Sequence, residues 1–342
     1  MRINIIGGGL AGCALAYVLK KRGMEPVIYE ASSDLASGAS GNEVGLYNPR
    51  FTAQLDEAGI FYTAAFREVL DVFGQAGKDI ECDPCGTLHL MDIERKQKRY
   101  PKTVQSWQWP KDDMYVVNAQ EASDIAGVEL IHDCLYIEKS GKVSPRKLCA
   151  YYARGVEVHL NASIDNLTLL QGEVNILACG MGVLKFEVAA GLPLMAVRGQ
   201  VSYIQASAYS SLLKVALCYG GYIAPADNGV HCIGATFQRW LEHCNCLEED
   251  DLANIEKMIE AIPSLETPYD VMKSRASVRT SSKDYFPVVG QFLDGIYIST
   301  AHGSHGILSS LLSAVILSDM VTGVDNTMPS SVLNALSPLR FS

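Results

Sequence analysis

Gly7, Gly9 and Gly12 are spaced Gly-x-Gly-x-x-Gly, and Glu30 follows about twenty residues later. In that pattern the first glycine allows a tight turn, the second lets a pyrophosphate reach the backbone, and the third lets a helix pack on a strand. The amino end of the helix stabilises the anion, and a glutamate at the end of the next strand accepts ribose hydroxyls. The spacing predicts a dinucleotide site.

Other residue groups bear on chemistry less directly. His302 and His305 form His-x-x-His in a Gly/His loop from Ala301 to Gly306, without an acidic partner, so a metal is a poor reading. Cys82-x-x-Cys85 and Cys244-x-Cys246 look like metal half-sites, but neither has a second pair at the usual spacing. The ten cysteines read as reduced thiols of a cytoplasmic protein, in which the sequons at Asn161 and Asn166 carry no meaning. Arg95-Lys-Gln-Lys-Arg99 with Lys102, followed by Trp107 and Trp109, is either a set of phosphate and base contacts or a solvated helix face.

The elements that must position these groups follow from periodicity. Arg2 to Ile6 reads as a strand, Cys13 to Leu19 as a helix ending in Lys20-Lys21-Arg22 with Gly23 as its cap, and Pro26 to Glu30 as a second strand. Leu55 to Phe73 has helical spacing, and Gly86 to Met91 alternates like a strand. Val174 to Leu177, Val201 to Ile204, Val215 to Tyr219, and the pair Tyr222 to Ala224 and Val230 to Ile233 joined through Asp227-Asn-Gly229 are further strands, the last four forming an antiparallel sheet. Leu252, Ile255, Ile259 and Ile262 mark an amphipathic helix stopped by Pro263. Ile296 to Ser299 is a strand, and Leu308 to Ile316 a helix aimed at the nucleotide site.

Composition sets the outer limits. The chain has 342 residues, 48% of them apolar and 19% charged, enough for a large core and about two domains. Its formal net charge of −10 argues against a chain-wide grip on nucleic acid but leaves room for a local basic patch. The apolar run Ile307 to Val321 is too short and too polar to span a membrane, and glycines interrupt the apolar N-terminal stretch early, so no export signal is expected.

Gly7 to Gly12 with Glu30, Val143-Ser-Pro145, Ala178-Cys-Gly180, Arg279 to Gly290 and the loop from Ala301 together resemble the FAD-dependent amino-acid oxidoreductases, which include glycine oxidase, sarcosine oxidase and D-amino-acid dehydrogenase. The resemblance covers most of the chain. Gly38-Ala-Ser-Gly-Asn42, Gly45-Leu-Tyr-Asn-Pro49, Val197-Arg-Gly-Gln-Val201 and His302-Gly-Ser-His-Gly306 are most similar to one branch. That branch is the oxidase half of the bifunctional enzymes that build 5-methylaminomethyl-2-thiouridine in tRNA. Two departures stand out: no methyltransferase half precedes the motif at residue 7, which implies a free-standing oxidase, and His305 stands where the branch has an arginine.

The resemblance implies an α/β fold, with a Rossmann-like FAD-binding domain (1–79, 140–190 and 275–342) and an inserted α+β substrate domain built on an antiparallel sheet (80–139 and 191–274). It implies non-covalent FAD against Gly7, Gly9, Gly12, Glu30, Ala39, Ser40, Gly41, Asn42, Ala178, Gly180, Gly303, Gly306 and Ile307. The expected reaction moves hydride from the carbon beside a neutral amine to the flavin, after which water hydrolyses the imine. Arg279 is the expected carboxylate clamp, with Arg198 a weaker candidate. Tyr222 resembles a tyrosine that closes on the substrate, Tyr47 follows a loop expected to pass the flavin ring, and Lys283 is a candidate cation on the oxygen side. Two substrates stay open: a wobble uridine in tRNA, docked through Arg95, Lys96, Lys98 and Arg99, or a free amino acid or small amine.

Overall fold

The computed structural model describes residues 1–170 and 174–341. Arg2–Ile6 is almost wholly buried and lies inside a six-stranded sheet. From one edge the strands run Val288–Leu293, Ile296–Thr300, Val174–Leu177, Arg2–Ile6, Glu25–Tyr29 and Glu157–His159. All neighbours are parallel except the edge hairpin of the first two. Continuous apolar strands of this kind need cover on both faces. The helices Leu10–Lys21 and Gly306–Thr322 supply it on one face and share a core cluster with Ile3 and Ile5. Gly23 ends the first helix in a left-handed conformation (φ 77°), as its sequence position predicts.

The second sheet is mixed rather than antiparallel. Its path is Gln238–Arg239, Leu194–Gln205, Val230–Gly234, Tyr222–Ile223, Ala216–Cys218, Thr87–Leu90, Cys134–Ile137 and Met114–Val117, with Val271–Ser282 also paired to Leu194–Gln205. Ala216–Cys218 runs parallel to Thr87–Leu90, because the two meet through a long excursion of the chain and not a hairpin. The Asp227-Asn-Gly turn is a true hairpin turn, with Asn228 and Gly229 both at positive φ.

The helix Glu248–Ala261 keeps its apolar stripe at Ile255, Ile259 and its C-cap Ile262, which pack into a core cluster with Met258, and departs from it at Leu252. Leu252 is 54% exposed, whereas Asp250, Asp251 and Asn254 are buried. They face polar groups of the long strand Leu194–Gln205. Arg198 Nη1 reaches Asp250 Oδ2 at 2.5 Å, Gln200 Nε2 reaches Asp251 Oδ1 at 2.8 Å, and Asn254 Nδ2 donates to Ser202 Oγ at 3.0 Å. A polar seam, in which Arg198 Nε is left without a partner among the described residues, thus lies beside the apolar contacts of the same helix. No helix among the described residues is long and apolar enough to cross a membrane.

Candidate active site

The two sheets meet at a cavity of about 840 Å³. Its floor is the first turn of the chain. Gly7 adopts φ 115°, and a Cβ there would lie 2.6 Å from the carbonyl oxygen of Ala178, so the turn and the Ala178-Cys-Gly180 segment can approach only because position 7 is glycine. A Cβ on Gly12 would lie 1.9 Å from Gly7 O, which is why the helix can seat on the turn. Gly9 differs: its Cβ would meet only Ser40, at 3.1 Å, and would otherwise stand in the cavity.

Glu30 directly follows the strand Glu25–Tyr29 and accepts hydrogen bonds from Gly8 N (2.7 Å) and Ser32 N (2.8 Å), which fix its carboxylate at the cavity wall. Ser40 Oγ accepts from Leu10 N at 2.9 Å, tying the 37–42 loop to the amino end of the first helix. Arg275 holds the same loop, donating to Asn42 Oδ1 (2.8 Å), Gly38 O (2.6 Å) and Ser37 O (3.2 Å). Sequence reasoning missed Arg275, although it stands four residues before Arg279 and so on the same face of Val271–Ser282.

Arg279 is directed into the cavity. It sits opposite Val197 on the adjoining strand, and its Nη1 is buried with no hydrogen-bond partner among the described residues. Burial lowers its pKa from the ordinary arginine value, a penalty that the nearby Tyr222 partly offsets. A buried guanidinium nitrogen without a partner is costly. Tyr222 also lines the cavity; its hydroxyl donates to Val44 O at 3.3 Å, and burial raises its pKa well above 10, so it stays protonated.

The Gly/His loop closes the far wall. His302 is held by Ser299 Oγ (3.1 Å) and Ser309 Oγ (2.9 Å), which occupy both ring nitrogens. His305 precedes the helix Gly306–Thr322 and meets the Tyr62 ring edge-on at 5.4 Å. Burial lowers both imidazoles to about 4, with Arg50 adding to the effect on His305. His89, which sequence reasoning also missed, lines the same cavity, and burial takes it to about 3. It arrives through the parallel pairing of Thr87–Leu90 with Ala216–Cys218, a long-range contact with no local signal.

The cavity wall includes Gly7, Gly9, Glu30, Ala39, Ser40, Asn42, Ala178, Gly180, Tyr222, Arg279, Gly303, His305, Gly306 and Ile307. Several expectations fail. Tyr47 lies between Leu46 and Asn48, both on the wall, and alternation turns it the other way: it is 1% exposed, edge-on to Phe73, and accepts from Cys82 Sγ. Gly41 lies off the wall, and its role is steric, since a Cβ there would collide with the Arg275 guanidinium. Arg198 belongs to the buried seam, and Lys283 is exposed away from the cavity.

The basic run is divided between buried and exposed side chains. It lies on the helix Glu94–Trp107, where Lys96 is buried and paired with Asp92 (2.6 Å) and Lys98 pairs with Glu94. Arg95 is exposed, and Arg99 covers the ring of Tyr100. Trp107 and Trp109 are core residues packed on each other and on Phe51 and Phe66. They are not free to stack on bases.

A parallel sheet with a glycine turn, a carboxylate after the next strand and a second helix aimed at the same cavity define a dinucleotide-binding protein. The chain belongs to the DAO family, described as FAD dependent oxidoreductase, which matches residues 2–320. It is 30% identical over 368 residues to the tRNA 5-methylaminomethyl-2-thiouridine biosynthesis bifunctional protein MnmC of Nitrosospira multiformis, covering 98% of this chain and 59% of that protein. The namesake from Shewanella sp. (strain ANA-3) is 28% identical over 410 residues, covering 99% and 59%. The chain therefore spans well under two thirds of these relatives. Glycine oxidase from Bacillus cereus shares the fold, with a TM-score of 0.80 at 22% identity over 98% of this chain and 97% of that one.

Proposed function

We propose that this chain oxidises the C–N bond of a carboxylated secondary amine, and that the amine is the carboxymethylaminomethyl group of a tRNA wobble uridine. The observation that carries the reading is Arg279, which lines the cavity while its buried Nη1 has no hydrogen-bond partner among the described residues, so its guanidinium is the group there suited to a substrate carboxylate. The names of the relatives, which specify tRNA, support the uridine.

FAD would supply the hydride acceptor. The residues present fit it: the space beside Gly9 and the amino end of the first helix suits a pyrophosphate, and Glu30 has carboxylate lone pairs left for a ribose. Ala39, Ser40, Asn42, Ala178 and Gly180 would border its middle, and Gly303, Gly306 and Ile307 the ring end. Non-covalent binding is supported by the thiols of Cys179 and Cys218 in the cavity, which burial pushes up to about 12 and so keeps protonated.

Arg279 binds the carboxylate through two N–H groups and orients the adjacent carbon. Tyr222 closes beside it with a protonated hydroxyl. His89, His302 and His305 are neutral near pH 7, so they add no cation that would repel an approaching amine. Loss of hydride from the carboxymethyl carbon and of the amine proton leaves an imine, and water splits it into glyoxylate and an aminomethyl group.

The test is anaerobic flavin reduction by the purified protein with 5-carboxymethylaminomethyluridine, against glycine and sarcosine. Reduction by the nucleoside supports the reading. Reduction by glycine or sarcosine alone would replace it with a free amino-acid oxidase, which the net charge of −10 favours.

A further inference from the structure

The short strand Gln238–Arg239 pairs with Leu194–Gln205 on the side opposite Val271–Ser282. Val197 therefore faces Arg239 on one side and Arg279 on the other, and directly paired residues share a face of the sheet. Gln238 turns to the opposite face, where it donates to Asp250 Oδ1 at 2.9 Å. Arg239 thus stands two strands from Arg279, at the outer edge of the same surface.

Its surroundings are aromatic. The guanidinium lies 5.9 Å from the Phe237 ring centre and 5.5 Å from that of Tyr285, and among the described residues it forms no ion pair. Phe237 is 51% exposed and lines the cavity. Trp240 follows; its N–H is fixed to Ala196 O at 2.8 Å, but its side chain is 71% exposed. The other two tryptophans of the chain are buried, so an indole in solvent here is an exception within the molecule. The run from Thr236 to Cys246 holds a single carboxylate, Glu242, in a chain of net charge −10.

We infer that Phe237, Arg239 and Trp240 form a stacking platform at the cavity mouth for an unpaired RNA strand, taking the nucleotide next to the one whose modified base enters the cavity. Rings that stack on bases, with an arginine that meets a phosphate, are the combination single-stranded nucleic acid requires. The inference rests on the uridine substrate proposed above. It also moves the RNA contact from the Glu94–Trp107 helix to the edge of the second sheet.

Arg239→Gln and Trp240→Ala change exposed side chains and leave Arg279 in place. The probe is a 5-carboxymethylaminomethyluridine stem-loop RNA, compared with the free nucleoside. Expected results are quenching of tryptophan emission by the RNA, lost in Trp240→Ala, and roughly tenfold weaker RNA binding in each variant. In Arg239→Gln the logarithmic salt slope falls by about 0.7. Flavin reduction by the nucleoside stays at the wild-type rate in both. RNA binding unchanged in the variants, with wild type active on the RNA, overturns the platform alone. Wild-type protein that is reduced by sarcosine but by neither the nucleoside nor the RNA overturns the substrate reading and the platform with it.

Discussion

Arg279 fills the space that a side chain at position 199 would take: a Cβ on Gly199 would lie 2.0 Å from Arg279 Nη1. The two residues sit on paired strands, and the glycine lets the guanidinium lie against the sheet while facing the cavity. Gly199→Ala is expected to displace the arginine. Substrate KM should rise at least tenfold while FAD content stays at the wild-type level, as checked by steady-state kinetics and the flavin absorbance ratio.

Arg279→Lys keeps the charge but cannot make two parallel N–H bonds. Each lost bond to a carboxylate costs about 1.5–3 kcal/mol, or roughly 10- to 150-fold in binding. Rapid-mixing measurement of anaerobic flavin reduction should show that loss, with thermal stability little changed. Equal rates and equal substrate dependence would place the clamp elsewhere.

Gly9 and Gly12 are expected to separate cofactor binding from folding. Gly9→Val meets only Ser40, so the chain should fold, yet emerge colourless and fail to take up FAD. Gly12→Ala drives a methyl into Gly7 O and should yield little folded protein. From the wild type, acid precipitation should release all the FAD into the supernatant.

Burial lowers the pKa of His89, His302 and His305 from 6.5 to about 3, 4 and 4. Between pH 6.5 and 4 the unfolded chain binds protons that the folded chain refuses, so stability is full above about pH 6.5 and falls as pH drops toward 4. The melting temperature should follow that slope. His89→Gln, which cannot titrate, should flatten it.

Charge reversal on the Glu94–Trp107 helix should act on stability unequally. Lys96→Glu sets a carboxylate beside Asp92 in a buried position and should cost about 1.5–3 kcal/mol, whereas Arg95→Glu on the solvent side should cost almost nothing. Chemical denaturation of the two variants gives the comparison.

The first strand, glycine turn and helix were legible because their signals are local: an apolar run, a fixed glycine spacing and a capped helix within 23 residues. The Ala301 to Gly306 loop was legible for the same reason. Pairings between distant segments were not. Nothing near Arg275 announces that its partner is the 37–42 loop, and nothing near His89 announces Cys218. Tyr47 shows how little separates a wall residue from a core one, since a shift of one position along a strand reverses the face. The Arg198 seam hides in the same way, because the apolar stripe that marks the helix gives no sign of the aspartates it also buries.

The order of strands in the first sheet also governs when the molecule can be assembled. Arg2–Ile6 waits for Val174–Leu177, that strand waits for Ile296–Thr300, and the cavity is walled only when Gly306 and Ile307 arrive. At a synthesis rate of about 5–20 residues per second, the glycine turn spends roughly 15–60 s on the ribosome before its site exists. Ribosome-bound chains arrested before residue 296 should therefore be cut by protease near the first strand and retain no FAD, while chains that have exposed residue 322 should resist cleavage and hold it.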